Sequence, residues 1–130
     1  MTDSAQAQPQ AISTDDLRAL AQLGQAQLID IRLPFDYFGG RVPGSFNLPG
    51  SAVTARVGQF PADRMLVLIC DDGVKSAEVA ALALQAGFSK VAYLDGGYEA
   101  WLVADLPTET ISDGVTPVQP KAPAEPSKAS

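Results

Sequence analysis

A chain of 130 residues is the length of one domain, and 46% hydrophobic residues supply one core if the two ends are tails. A formal net charge of −6 argues against nucleic-acid or anionic-membrane partners, both of which need a surplus of Lys and Arg. The chain has no histidine and a single cysteine, which excludes a Cys–His dyad, a Ser–His–Asp triad, a His-ligated metal and an intrachain disulfide.

Residues 1–11 are polar and rich in Ala and Gln, without the basic and apolar regions of a signal peptide, and read as a flexible N-terminal segment. A helix is predicted next. Ser13 or Thr14 caps it, Asp15 and Asp16 occupy the first turn, Leu17, Leu20 and Leu23 mark the apolar face, and Gly24 ends it. Residues 27–31 (QLIDI) form a short strand. Residues 32–51 are dense in Gly and Pro and read as turns and loop, with a short extended piece at 46–48.

Residues 65–70 (MLVLIC) have the unbroken apolar character of a strand buried on both faces of a parallel sheet. A helix is predicted over 75–87, with Val79, Leu82, Ala83 and Ala86 on one side and Gly87 closing it. A strand at 90–95 and a helix at 98–103 follow, with Asp95 as the expected cap and Trp101 in the core. Residues 108–130, rich in Pro and Ala, read as a disordered tail, leaving 12–107 as the folded domain. Strands separated by helices imply an α/β fold: a small, mostly parallel sheet with helices on both faces. The run 65–70 is too short to span a bilayer, and the expected location is the cytoplasm.

Cys70 ends a strand, and a helix starts within five residues of it, across a compact turn containing Gly73. Sites in open parallel sheets form at such strand–helix junctions. Successive backbone N–H groups of the turn, together with the helix N-terminus, make a nest that stabilises a thiolate or a bound anion. Asp71 and Asp72 oppose this. At an effective dielectric of about 20, a carboxylate roughly 6 Å from the sulfur costs about 3 kcal/mol, and below about 1 in water-like screening. The helix terminus contributes about 0.3–2 kcal/mol in favour. In a cradle of backbone amides the side chains radiate outward, so both aspartates are expected to face water. The alternative is that Cys70 is a small core residue and that Asp72-Gly73 is ordinary turn chemistry.

Three ordered stretches resemble the rhodanese (sulfurtransferase) family. They are LIDIRLPFDYFGGRVPGSFNLP (28–49), Cys70-Asp71-Asp72-Gly73-Val74-Lys75-Ser76, similar to the loop C-x-x-G-x-R-S, and YLDGGYEAW (93–101). The resemblance implies a sulfurtransferase in which Cys70 takes a sulfane sulfur, holds it as a persulfide and passes it to cyanide or a thiol. It also implies that residues Asp71, Asp72, Gly73, Val74, Lys75 and Ser76 form the loop that binds the anion, chiefly through the backbone amides of 71–75. Thiosulfate or a persulfidated protein would be the donor, and no cofactor or metal is implied. Asp30, Arg32 and Asp36 are expected as an ion pair and loop tethers, and Gly96 and Gly97 as points of close approach. Lys75 either steers an anion or is merely solvated. Phe35, Tyr37 and Phe38 either line a pocket mouth or pack.

Two other readings stand beside this one: a low-turnover sulfur-carrier or protein-docking module, and a phosphatase or arsenate reductase relative. The second is disfavoured by the loop, which is one residue shorter than the C-x5-R of phosphatases and ends in Lys rather than the bidentate Arg. The sequence departs from the family pattern at Asp71, where Arg often follows the cysteine, at Lys75, and at Arg41, which replaces a histidine. The first two disfavour a free inorganic dianion and favour a protein-borne or low-charge donor.

Overall fold

The computed structural model describes residues 8–110. In chain order the elements are β1 (Gln10–Ile12), α1 (Thr14–Gln22), β2 (Ala26–Asp30), α2 (Pro34–Gly39), β3 (Phe46–Asn47), α3 (Gly50–Ala55), β4 (Met65–Ile69), α4 (Val74–Gln85), β5 (Val91–Leu94) and α5 (Gly97–Val103). A 3-10 turn, Val57–Gln59, follows α3. The strands form one sheet in the order β1-β5-β4-β2-β3, and every ladder is parallel.

β4 is central. It pairs with β2 from Ala26↔Met65 to Asp30↔Ile69 and with β5 from Leu66↔Val91 to Leu68↔Tyr93. Its side chains alternate between two cores, as the two-residue period of a strand requires. Leu66 and Leu68 join Ile29, Val53, Val79, Ala83 and Phe88 under α3 and α4. Val67 and Ile69 join Leu17, Leu28, Leu94 and Trp101 under α1 and α5. Both faces of the sheet are therefore covered, which accounts for the unbroken apolar run in β4.

Ser13 caps α1 by accepting the Asp16 N–H at 3.1 Å. The structure departs from the sequence reading in four places. The Gly/Pro-rich segment 32–51 contains two short helices, α2 and α3, each opened by a proline-fixed turn, with Pro34 at N1 of α2 and Pro49 as the N-cap of α3. Strand β1 begins at Gln10, inside the segment expected to be a flexible leader, because its edge position needs only the ladder to β5. Leu23 and Leu82 are 68% and 51% exposed rather than part of the helices' buried faces. Asp95 does not cap α5. That position belongs to Gly96, in the left-handed region at φ +76°, while the Asp95 N–H extends the sheet by donating to Ile12 O.

The chain past β5 and α5 is tied back at two points. Trp101 Nε1 donates to Pro107 O at 2.7 Å, and Arg41 and Glu109 exchange backbone hydrogen bonds of 2.9 and 3.0 Å. Ordered contacts therefore continue past Pro107, the expected end of the domain. The rest of the predicted N-terminal segment and of the tail lies outside the described residues.

Candidate active site

The C-terminal ends of β2 and β4 lie side by side, and each carries a site residue at its exit. Asp30, the last residue of β2, is fully buried, and Arg32 two residues on is 8% exposed. The guanidinium grips the carboxylate through Nε at 3.0 Å to each oxygen and through Nη2 at 2.7 Å to Oδ2. The Arg32 backbone N–H donates to Asp30 Oδ1 at 2.9 Å, and Nη2 also donates to Gly40 O at 2.7 Å. Burial works against the charge of Arg32, but the hydrogen bond and the negative charge of Asp30 outweigh it and hold its pKa above the ordinary value. This pair is the expected loop anchor. It ties the β2 exit to the end of α2, and Asn47 completes the tie by donating Nδ2 to the carbonyls of Asp30 and Arg32, both at 2.9 Å. The sequence reading passed over Asn47. The signal was a polar residue within the short extended piece 46–48, two residues before Pro49.

At the β4 exit, Cys70 is 5% exposed and its sulfur lies inside the turn leading to α4. The N–H groups of Gly73 and Ser76 donate to Sγ at 3.2 and 3.3 Å. The thiol donates to Ser76 Oγ at 3.3 Å, and that hydroxyl passes its own proton toward Gly73 O at 3.2 Å. Of the expected loop 71–76, the amides of Gly73 and Ser76 are the two that reach the sulfur. Gly73 sits at φ +92°, the left-handed conformation that folds the loop back over the sulfur.

The aspartates divide. Both residues are exposed. Asp72, however, does not point away into water: its Oδ1 accepts the Val74 N–H at 3.0 Å and lies 3.9 Å from Cys70 Sγ. A carboxylate next to an Asp-Gly turn finds the free N–H of a helix start before it finds solvent, and the capping bond draws it inward. The separation is shorter than the 6 Å assumed from sequence. At about 4 Å the repulsion of a thiolate runs from about 1 kcal/mol in water to about 4 at a dielectric of 20, and the exposed carboxylate lies toward the lower figure. Hydrogen bonds to a charged acceptor contribute about 1.5–3 kcal/mol each, so the two amides outweigh it.

The loop is seated on the β5–α5 turn. The N–H of Tyr98 donates to Cys70 O at 2.7 Å and that of Glu99 to Asp71 O at 3.0 Å. Gly97, at φ +64°, passes so close that a Cβ there would lie 2.5 Å from Cys70 O and 2.6 Å from Asp71 C. Of the Gly96-Gly97 pair, Gly97 makes its close approach against the backbone of Cys70 and Asp71, whereas a Cβ at Gly96 would meet the Ala100 side chain at 2.8 Å.

Above the sulfur opens a mouth of about 260 Å³, lined by Ile31, Arg32, Leu33, Asp36, Cys70, Asp71, Asp72 and Lys75. Lys75 is exposed and stands on its rim. Asp36, expected as a tether, makes no side-chain hydrogen bond or ion pair among the described residues and faces the mouth instead, carried there by the first turn of α2. The aromatics separate: Tyr37 donates its hydroxyl to Ser45 O at 2.6 Å and packs against Phe38, whereas Phe35 stands 86% exposed. Arg41 reaches away from the mouth, stacking 4.6 Å over the Tyr37 ring and pairing with Glu109 at 3.6 Å. Among the described residues no cluster of His, Cys, Asp and Glu could hold a metal, and no helix is long and apolar enough to cross a membrane.

A family model described as "Rhodanese-like domain" matches residues 13–104, which spans α1 to α5, including strands β2 to β5 and the Cys70 loop. The chain belongs to the rhodanese-like domain family. Among its relatives, the thiosulfate sulfurtransferase GlpE of Pseudomonas paraeruginosa is 38% identical over 92 residues, covering 71% of this chain and 83% of the relative. The human single-domain sulfurtransferase TSTD1 superposes with a TM-score of 0.64 at 27% identity, covering 72% of this chain and 95% of that structure. A protein of Rhodopseudomonas palustris, named as a possible tyrosine phosphatase, superposes at 0.68 and 29% identity, with 78% and 85% covered. This rhodanese-like domain thus has relatives under both names, and the loop around Cys70 must decide between the chemistries.

Proposed function

We propose that the protein is a sulfurtransferase that carries sulfane sulfur as a persulfide on Cys70. The observation that carries this reading is the pair of amides, Gly73 and Ser76, donating to one buried sulfur at the floor of an open mouth. Attack of the Cys70 thiolate on thiosulfate forms a new S–S bond, and sulfite leaves with the electron pair of the bond that breaks. Cyanide or a thiolate then attacks the outer sulfur, and the Cys70 thiolate leaves. Negative charge stays beside the amides throughout, so stabilisation preorganised in the backbone suffices and no histidine is required.

The loop geometry speaks against phosphatase chemistry. Its last amide already lies on the sulfur, and its cationic residue is Lys75, a point charge rather than a planar fork. Asp36, Asp71 and Asp72 around the mouth disfavour a free dianion, so the donor in this reading is protein-borne or of low charge, and the acceptor is a thiol. A reducing cytoplasm suits a working thiolate.

Incubation with thiosulfate or with a protein persulfide, followed by intact mass measurement, tests the proposal. The expected result is a gain of one sulfur, removed by cyanide and absent in Cys70→Ser. No adduct from either donor would overturn it.

A further inference from the structure

Beside the mouth runs a second, larger depression of about 590 Å³, lined among others by Pro34, Pro49, Thr54, Glu78, Val79 and Leu82. It shares Ile31, Arg32, Leu33 and Lys75 with the mouth, so the two are continuous across the Lys75 side chain. Its walls are the start of α2, the start of α3 and the outer side of α4. Two large apolar side chains of its lining stand open: Leu33 is 71% exposed and Leu82 51%. The charges around this face are unbalanced. Asp36, Asp71 and Asp72 line the mouth and Glu78 lines the groove, whereas Arg32 is neutralised by Asp30, leaving Lys75 as the cation.

We infer that this groove docks the segment of a partner protein that bears the exchanging sulfur, a cysteine flanked by apolar residues and by Lys or Arg. The inference rests on the sulfurtransferase reading and names the substrate class of that same site. The apolar floor with Leu33 and Leu82 takes the segment's apolar residues, the carboxylates take its cationic flanks, and the cysteine then lies over Cys70. The joint lining runs from Asp36 and Asp72 at the mouth to Thr54 and Leu82 along the groove, so it extends past what a small thiol covers and matches a polypeptide. When the segment arrives as R–S–SH, the Cys70 thiolate attacks the outer sulfur. The product is Cys70–S–SH, and R–S⁻ departs with the bonding pair into the neighbourhood of Lys75.

Binding and transfer are measured separately. The first probe is a dye-labelled peptide with leucines and lysines around a central serine, titrated into Cys70→Ser protein, so that docking is read without chemistry. Saturable binding is expected, weakened about tenfold by Leu82→Ser, the scale of losing one leucine from an interface. It should also weaken with added salt and vanish when the peptide's lysines are replaced by glutamates. Leu82 and Leu33 are exposed, so Leu82→Ser and Leu33→Ser should both fold, and Leu33→Ser should weaken binding likewise. No saturable binding, or binding indifferent to both substitutions, would overturn the inference. In the second arm the cysteine form of the peptide, as its persulfide, loads wild-type Cys70. Leu82→Ser should lower its kcat/KM by about the same factor while leaving thiosulfate within about twofold. If glutathione persulfide loses as much as the peptide, the groove takes a small organic molecule and the protein-segment inference fails. If no donor loads Cys70, the sulfurtransferase reading fails, and the binding arm still decides the docking.

Discussion

Asp71 stands where a guanidinium would attract thiosulfate, and its carboxylate bears on the mouth without touching the sulfur. Its backbone carbonyl is held by Glu99, so the side chain can be exchanged without moving the loop. Asp71→Arg reverses a charge at the entrance and should raise kcat/KM for thiosulfate by roughly three- to tenfold at low ionic strength. The gain should shrink as the Debye length falls to about 3 Å near 1 M salt. An equal rate in the two proteins at low salt would show that Asp71 does not govern donor choice. Asp72 is a different case. Its charge is committed to the Val74 N–H, and its proximity to Cys70 is a by-product of capping a helix start. That inward turn was not legible in the sequence, because a carboxylate two residues past Cys70 can satisfy either solvent or the helix, and only the loop's conformation selects between them. The Asp30–Arg32 pair was legible, since a carboxylate and a guanidinium at the end of one strand have no other way to be buried together.

Among the elements, the first turn of α5 is the support on which the strand end at Cys70 rests. Two of its amides hold Cys70 O and Asp71 O, and the missing side chain at Gly97 is what lets them reach. Gly97→Ala would place a methyl group against backbone that cannot rotate away, at a positive φ. It should cost about 2–4 kcal/mol in folding free energy, from left-handed strain plus overpacking. The comparison substitution is Gly24→Ala, also at positive φ (+69°) but with open space around it, which should cost only the strain, about 1–2 kcal/mol. Equal urea midpoints for the two variants would refute the close-contact argument. The elements that escaped sequence reading share a physical cause. α2 and α3 are six residues each, in a stretch whose Gly and Pro content marks turns, and β1 is three residues on an edge. Helices of less than two turns carry no readable period, and they form because tertiary contacts hold them. The start of α2 lines both the mouth and the groove and the start of α3 lines the groove, so the Cys70 loop was legible while part of its surroundings was not.

At the scale of the molecule, Tyr98 connects the parts. Its N–H supports Cys70, its ring lies 4.2 Å beneath the Arg32 guanidinium, and its hydroxyl lies against Gly40 at the end of α2. Burial raises its pKa above the ordinary tyrosine value, more than the positive charge of Arg32 and the hydrogen bond with Thr108 lower it. The folded protein therefore keeps the Tyr98 proton to higher pH than the unfolded chain does. Between the unfolded and folded values the unfolded state binds fewer protons, so stability falls as pH rises. The contribution is complete below about pH 10, where an unfolded tyrosine begins to ionise, and is lost as pH climbs through the raised folded value. Arg32, also raised, acts in the same direction at still higher pH. Tyr98→Phe removes the first of these ionisations and keeps the ring beneath Arg32. Near neutrality the variant should be the less stable of the two, having lost the hydroxyl's contacts. Above about pH 10 the wild type should lose stability faster, so the gap narrows. Urea denaturation at a series of pH values from about 7 to 11 reads this directly, and stability curves that stay parallel over the whole range would show that Tyr98 ionises alike in the folded and unfolded chain.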